Sequence, residues 1–196
     1  MNPINELKQT WRSIPDEVKT FLKRALLIFI IWKIIYNGFL FNGRIIDKPL
    51  TDFTSYSTMF TLSKIYPDNI FLSKEEKLPA SASESIVGNM YFVYMNGKKV
   101  IGIADVCNGL ELYILYIGFL FCFPVKWKRI VIFLLLGIIA IYITNVLRCA
   151  GIAVLNIRHN YLTDVAHHYI FKLVVYLLIF LLWVMYAKNN LMSNEK

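Results

Sequence analysis

A thiol, a guanidinium and an imidazole are spaced along this chain so that each falls at one end of an apolar run. Cys107-Asn108-Gly109 opens one run, Asn145-x-x-Arg148 lies near the far end of the next, and His167-His168 opens the last. If the three runs cross a membrane in turn, all three groups reach one face. The chemistry open to them is then covalent, with a thiol whose ionised form a neighbouring cation favours and an imidazole to carry the proton.

The elements that must position these groups follow from composition. The chain has 196 residues, 57% of them hydrophobic, and its mean hydropathy of +0.52 is too high for an ordinary soluble fold. The net charge of +8 does not signal nucleic acid, because the basic residues punctuate apolar segments and form no stripe with interleaved aromatics. Cys107, Cys122 and Cys149 are odd in number and lack a C-x-x-C pair, which argues against a disulfide framework, a zinc ribbon or a thioredoxin-like motif. At least one thiol is expected to be free. The first apolar stretch follows a polar leader and has no small-residue cleavage site behind it, so it reads as a retained anchor.

Four stretches are candidates to span a bilayer, over residues 25–41, 110–123, 130–155 and 169–187. Basic residues gather before the first (Lys8, Arg12, Lys19, Lys23, Arg24), between the second and third (Lys126, Lys128, Arg129) and after the fourth (Lys188, Lys196), which makes those segments cytoplasmic. The expected fold is an all-α membrane protein of about four transmembrane helices with a small extracytoplasmic layer that includes a β-hairpin. Its parts are a cytoplasmic leader over 1–24, a first span over 25–41, an extracytoplasmic segment over 42–106, a three-helix membrane core over 107–187 and a cytoplasmic tail over 188–196. Between positions 42 and 105 seven basic residues balance seven acidic ones. Phe53, Tyr56 and Phe60 at helical spacing predict a helix lying on the outer leaflet over 53–66. Residues 74–85 read as a polar loop. The β-prone runs over 90–95 and 100–104 flank Asn96-Gly97, whose tolerance of positive φ predicts a hairpin that delivers the chain to Cys107.

Cys107 then sits at the outer end of its run. Arg148, 18 residues beyond Ile130, has risen about 27 Å to the same level, and His167 and His168 begin the inward-running last span. Helical phase adds a second filter. The face of Cys107 carries Glu111, Ile114, Gly118 and Cys122, and that of Arg148 carries Asn145, Thr144, Ile141 and Gly137, small and polar as helix interfaces in membranes are. His168 shares its face with Lys172, Val175, Tyr176 and Ile179, whereas the face of His167 is apolar and suits lipid. Lys33, Glu111, Arg148 and Lys172 are charges at membrane depth that require a partner or a function. Glu111, one turn beyond Cys107, is placed to accept from Arg148 or Lys172, and Lys33 either joins that network or snorkels.

With Cys107-Asn108-Gly109-Leu110, Asn145-Val146-Leu147-Arg148 and His168 in that order and on one membrane side, the chain resembles the exosortase/archaeosortase family of multi-spanning cysteine transpeptidases. The match runs over roughly 86–187, and the chain would be one of the compact members. The resemblance implies a Cys, Arg and His triad on Cys107, Arg148 and His168, with His167 as the alternative third member and Asn108, Gly109, Glu111, Asn145 and Lys172 in support. It also implies a substrate, a secreted protein with a C-terminal sorting tail of short motif, transmembrane helix and basic cluster, cleaved at the outer face of the cytoplasmic membrane through a thioester. Arg148, or backbone N–H groups near Asn108 and Gly109, would stabilise the oxyanion, and amine or water would accept the acyl group. No cofactor, metal or nucleic acid is expected, and the lipid bilayer is the standing partner.

Taken singly these residues have plainer accounts. A membrane cysteine is most often a small packing group, and cations near helix ends commonly snorkel. Two other functions fit parts of the pattern. Cys107, His167 and His168 could hold zinc in a membrane hydrolase, although no H-E-x-x-H is present. Alternatively, a non-catalytic assembly or transport subunit could use its buried charges only to fix packing.

Overall fold

The computed structural model describes residues 14–41, 43–77, 89–122, 127–158, 163–165 and 169–191. Helix α1 (Asp16–Ile35) starts within the expected leader and runs on as a π-helical segment through Tyr36–Leu40. Its exposed side chains include Leu26, Leu27, Phe29, Ile30, Ile31, Ile34 and Phe39, an apolar surface that water would not favour. Helix α3 (Leu110–Cys122) packs antiparallel to it. Phe21 meets Phe119 edge-on at 5.7 Å, and Arg24 donates to the Cys122 carbonyl at 3.4 Å, placing a cation at the negative end of α3.

Helices α4 (Trp127–Ile157) and α5 (Phe171–Leu191) are long and apolar enough to cross a membrane. The other two expected spans fall short of that standard. Helix α3, at 13 residues, rises only about 20 Å against a hydrocarbon core of about 30 Å, and α1 carries Lys19, Lys23, Arg24 and Lys33. The core of α3, α4 and α5 is made by Tyr113, Tyr116, Leu120, Ile141, Val175, Ile179 and Tyr186. Tyr116 lies so close to α4 that a Cβ on Gly137 would stand 1.9 Å from its ring, and its hydroxyl donates to the Phe133 carbonyl at 2.8 Å.

Helix α2 (Asp47–Ile65) matches the predicted 53–66 except at its last residue and begins six residues earlier. Its polarity is inverted: Asp47, Thr51, Thr54, Ser55 and Thr58 are buried while Phe53, Tyr56 and Phe60 are exposed. Such a face suits a lipid headgroup layer. The buried threonines are satisfied by the carbonyl four residues back, with Thr54 and Thr58 each at 2.8 Å.

Upon α2 lies an antiparallel sheet of β1 (Phe71–Lys77), β2 (Asn89–Met95) and β3 (Lys98–Ile103), in that order. The predicted hairpin is present, with Asn96 at φ 49° and Gly97 at φ 80°. Strand β1 corrects the reading of 74–85 as loop over Lys74–Lys77, and the rest of that stretch lies outside the described residues. The sheet therefore has three strands where a two-stranded hairpin was expected. Four consecutive charges, Lys74 to Lys77, hide β1 in the sequence because their partners lie far off in the chain. Glu76 takes Lys99 at 2.7 Å and the Tyr94 hydroxyl, both across the sheet.

At 31 residues, α4 is about 46 Å long, more than a bilayer core requires. Its last turns form a second core with the sheet, in which Val93, Val100, Ile101 and Ile103 pack on Cys149, Ala150, Ile152 and Ala153. That joint sets the level of the site.

Candidate active site around Cys107

Strand β3 runs through Ala104 into a single 3-10 turn, Asp105–Cys107, and α3 follows at once. The turn is closed by the Cys107 N–H on the Ala104 carbonyl at 2.8 Å and the Asn108 N–H on the Asp105 carbonyl at 3.2 Å. Cys107 is half-buried and its thiol is free.

Two side chains of α4 hold this turn. Asn145 Nδ2 and Arg148 Nη2 both donate to the Cys107 carbonyl, at 3.1 and 3.2 Å. Cys107, Asn145 and Arg148 are thus brought together at one level. Arg148 Nε and Asn145 Oδ1 are buried without a hydrogen-bond partner among the described residues, so each keeps polar capacity in reserve beside the cysteine.

Asn108 is 1% exposed. Its Oδ1 accepts the Leu110 N–H at 2.8 Å, satisfying the first orphan donor of α3, while Nδ2 donates to Asp47 Oδ1 at 3.0 Å and lies 3.3 Å from Thr51 Oγ1. Its side chain is therefore committed to structure. Gly109 has φ 86°, where a side chain is strained, and a Cβ there would sit 3.3 Å from Asn145 Nδ2. The sequence Cys-Asn-Gly thus reads as thiol, anchor and close-approach point.

Behind the turn lies a polar layer that the sequence alone did not reveal. Arg44, at φ 49°, grips Asp105 with two bonds, Nε to Oδ2 at 2.6 Å and Nη2 to Oδ1 at 2.8 Å, and reaches Glu75 at 2.9 Å. Glu75 also takes Asn89 Nδ2 at 2.8 Å, and Tyr36 donates to Asp47 Oδ2 at 2.9 Å. Bonds to Asp105 and Glu75 push Arg44 further up from its ordinary value, outweighing its burial. Burial would raise Glu75, but Asn89, Arg44 and Lys48 together hold it below the usual carboxylate range. The contacts of Arg44 join residues 31 and 61 positions apart, with no local motif to announce them. The one available hint was the equal count of acids and bases over 42–105.

Other candidates stand apart. Glu111 and Lys172 are exposed, and among the described residues Glu111 forms no ion pair with Arg148 or Lys172. Lys33 lies 5.9 Å from the Phe29 ring on exposed α1. His167 and His168 lie outside the described residues. Among the described residues no group of three or more His, Cys, Asp or Glu is placed to hold a metal.

A cleft of about 230 Å³ opens between β3 and α4, lined by Ile101, Gly102 and Ile103 on one side and Arg148, Ile152 and Asn156 on the other, with Cys107, Cys149 and Thr163 also at its surface. A thiol thus lines a narrow cleft beside an arginine with a spare donor.

Helices able to cross a bilayer, a short sheet seated on the end of one of them, and a clamped cysteine turn define a mostly helical membrane protein with a cleft above the membrane core. Over residues 18–185 the chain matches the transmembrane exosortase family, and it belongs to that family. No curated protein and no solved structure matches it.

Proposed function

We propose that this chain is a cysteine endopeptidase and transpeptidase of the cytoplasmic membrane, acting on the C-terminal sorting tail of secreted proteins at the outer face. The observation that carries the reading is the double hold of Asn145 and Arg148 on the Cys107 carbonyl at the cleft. Exosortases are a family of cysteine transpeptidases, and membership supports the same class of reaction here.

In this reading the Cys107 thiolate attacks the scissile carbonyl, and the negative charge passes to oxygen. Arg148 Nε–H, buried and unpartnered among the described residues, is the donor in reserve for thiolate or oxyanion; one well-placed donor is typically worth about 3 kcal/mol. Collapse expels the tail amine, protonated by an imidazole, and leaves a thioester. An incoming amine or water gives its proton to the same imidazole and releases Cys107.

His168 is the proposed imidazole, with His167 the alternative. Two described residues flanking them in the chain support this: Thr163 lines the cleft, and Phe171 packs against the cluster of Cys149 and Ala150, its ring 2.8 Å from where a Gly151 Cβ would be. Val175 and Leu182, both buried on α5, stand seven and fourteen residues beyond position 168 in the sequence. The exposed apolar surface of α1 supports its crossing the bilayer with α3 to make four spans.

Replacing Cys107 by Ser, in cells bearing a tailed reporter, is expected to abolish cleavage while the protein stays at wild-type level in the membrane. The wild type, and not the variant, should carry a covalent adduct of reporter mass, which hydroxylamine cleaves to the free enzyme and the reporter hydroxamate. Cleavage that persists in the Ser variant, or that stops with a metal chelator instead, overturns the reading.

A further inference from the structure

The cleft beside Cys107 is walled by the free edge of a β-sheet, and that edge is occupied at one end and open at the other. In the strand order β1, β2, β3 only one side of β3 is paired. Its pairing with β2 shifts by one residue between Val93 and Tyr94, so that Val100 and Ile101 both turn inward and are buried while Gly102 is exposed. In an antiparallel pair, alternate residues exchange hydrogen bonds with the partner strand and the residues between them point N–H and C=O away. The hairpin closes on Met95 and Lys98 as a bonded pair. Beyond the bulge, Gly102 opposite Phe92 falls at a non-bonded position and Ile103 opposite Tyr91 at a bonded one. Gly102 therefore presents its donor and its acceptor to the cleft. The neighbouring outward group is already capped, since Asn156 Nδ2 of α4 donates to the Val100 carbonyl at 3.0 Å. Helix α4 thus stands in for a fourth strand at Val100 and leaves the place empty at Gly102.

Gly102 itself suits close approach by another backbone. On the face where its Cβ would be, Met90 Sδ and Phe92 Cε1 lie 2.6 and 2.8 Å from that point, so the glycine is roofed by β2 side chains and open at its edge. The strand then runs through Ala104 into the turn of Cys107, also at the cleft.

We infer that the substrate binds as an extended peptide strand added to the edge of β3, exchanging two main-chain hydrogen bonds with Gly102, its side chains lying between Ile101, Ile103 and Ile152 and its scissile carbonyl delivered to Cys107. This rests on the reading of Cys107 as the nucleophile. Main-chain pairing supplies affinity without regard to sequence, and the small volume of the cleft restricts the side chains that fit.

The test uses the full chain in detergent micelles and two probes that alkylate thiols, with the labelled residue located by mass spectrometry. Iodoacetamide measures the bare reactivity of Cys107. Acetyl-tetra-alanyl chloromethyl ketone, and its variants N-methylated at one amide at a time, measures strand pairing. N-methylation at one position is expected to slow Cys107 labelling by tenfold or more while the adjacent amides matter little, because neighbouring groups of an extended chain point to opposite sides. The Gly102 amide should gain protection from hydrogen exchange on labelling with the ketone and not with iodoacetamide. If iodoacetamide labels Cys107 but the penalty is uniform or absent, or Gly102 gains no protection, strand addition is wrong and the nucleophile stands. A Cys107 that iodoacetamide leaves unlabelled overturns both.

Discussion

Arg148 meets the cysteine turn through the shape of its guanidinium as much as through its charge. One nitrogen, Nη2, is spent on the Cys107 carbonyl at 3.2 Å, and another, Nε, is held in reserve. A lysine keeps the charge but has a single head on a flexible stem, so it cannot bond the carbonyl and offer a second fixed donor together. Arg148→Lys is therefore expected to keep the protein folded and to lower turnover of a tailed reporter by about a hundredfold, in the range seen when one oxyanion donor is lost. The measurement is single-turnover cleavage in membranes, and a variant within threefold of wild type would leave Arg148 a structural role alone. At this scale the sequence was informative about types and poor on duties. The convergence of Cys107 with Arg148 was legible from run length and topology, whereas the tie of the Asn108 side chain to Asp47 and Leu110 was not. Nothing in the chain near Asn108 announces a partner 61 residues upstream.

Among the elements, the best-read were those whose cause is local. Asn96-Gly97 fixes its turn by backbone preference alone, and the long apolar runs set α4 and α5. Strand β1 and the buried face of α2 were illegible because their stabilisation comes from across the molecule, where charges meet opposite charges and threonines turn inward. The helix contact at Gly137 lies between these cases, since phase put Gly137 on the inward face without saying what approached it. The Tyr116 ring fills the space its missing side chain leaves. Gly137→Ala should force that ring or the helix aside and destabilise the bundle by about 1–3 kcal/mol, the usual cost of overpacking. Thermal unfolding in detergent micelles would register it as a lower midpoint. Paired with Tyr116→Phe, which leaves the ring in place, the loss should persist; rescue by that change would make the hydroxyl bond to Phe133 the cause, and not the close approach.

For the whole molecule, the outer layer and the membrane core are joined by the packing of the sheet on the end of α4, by the polar layer from Arg44 to Asp105, and by α2 on α4, where Phe53 stacks on Tyr142 at 5.1 Å. The second joint is expected to make the outer layer sensitive to acid. Glu75, held below the usual carboxylate range by Asn89, Arg44 and Lys48 against the opposing effect of burial, binds its proton more weakly folded than unfolded. Its contribution is therefore complete above its ordinary value of 4.5 and is lost as pH falls through the lower folded value. Glu76, paired with Lys99 and Tyr94, shifts in the same direction. The unfolding midpoint of the outer layer is expected to be insensitive to these two carboxylates from neutral pH down to about 5 and to fall steeply below about 4. Far-ultraviolet dichroism and proteolysis of the 42–106 segment across that range would follow it. Arg44→Gln removes the charge that Asp105 and Glu75 share, so it should lower stability at pH 7 and shrink the acid loss together. An acid limb that keeps its full size in Arg44→Gln would mean that some other carboxylate couples the sheet to the turn of Cys107.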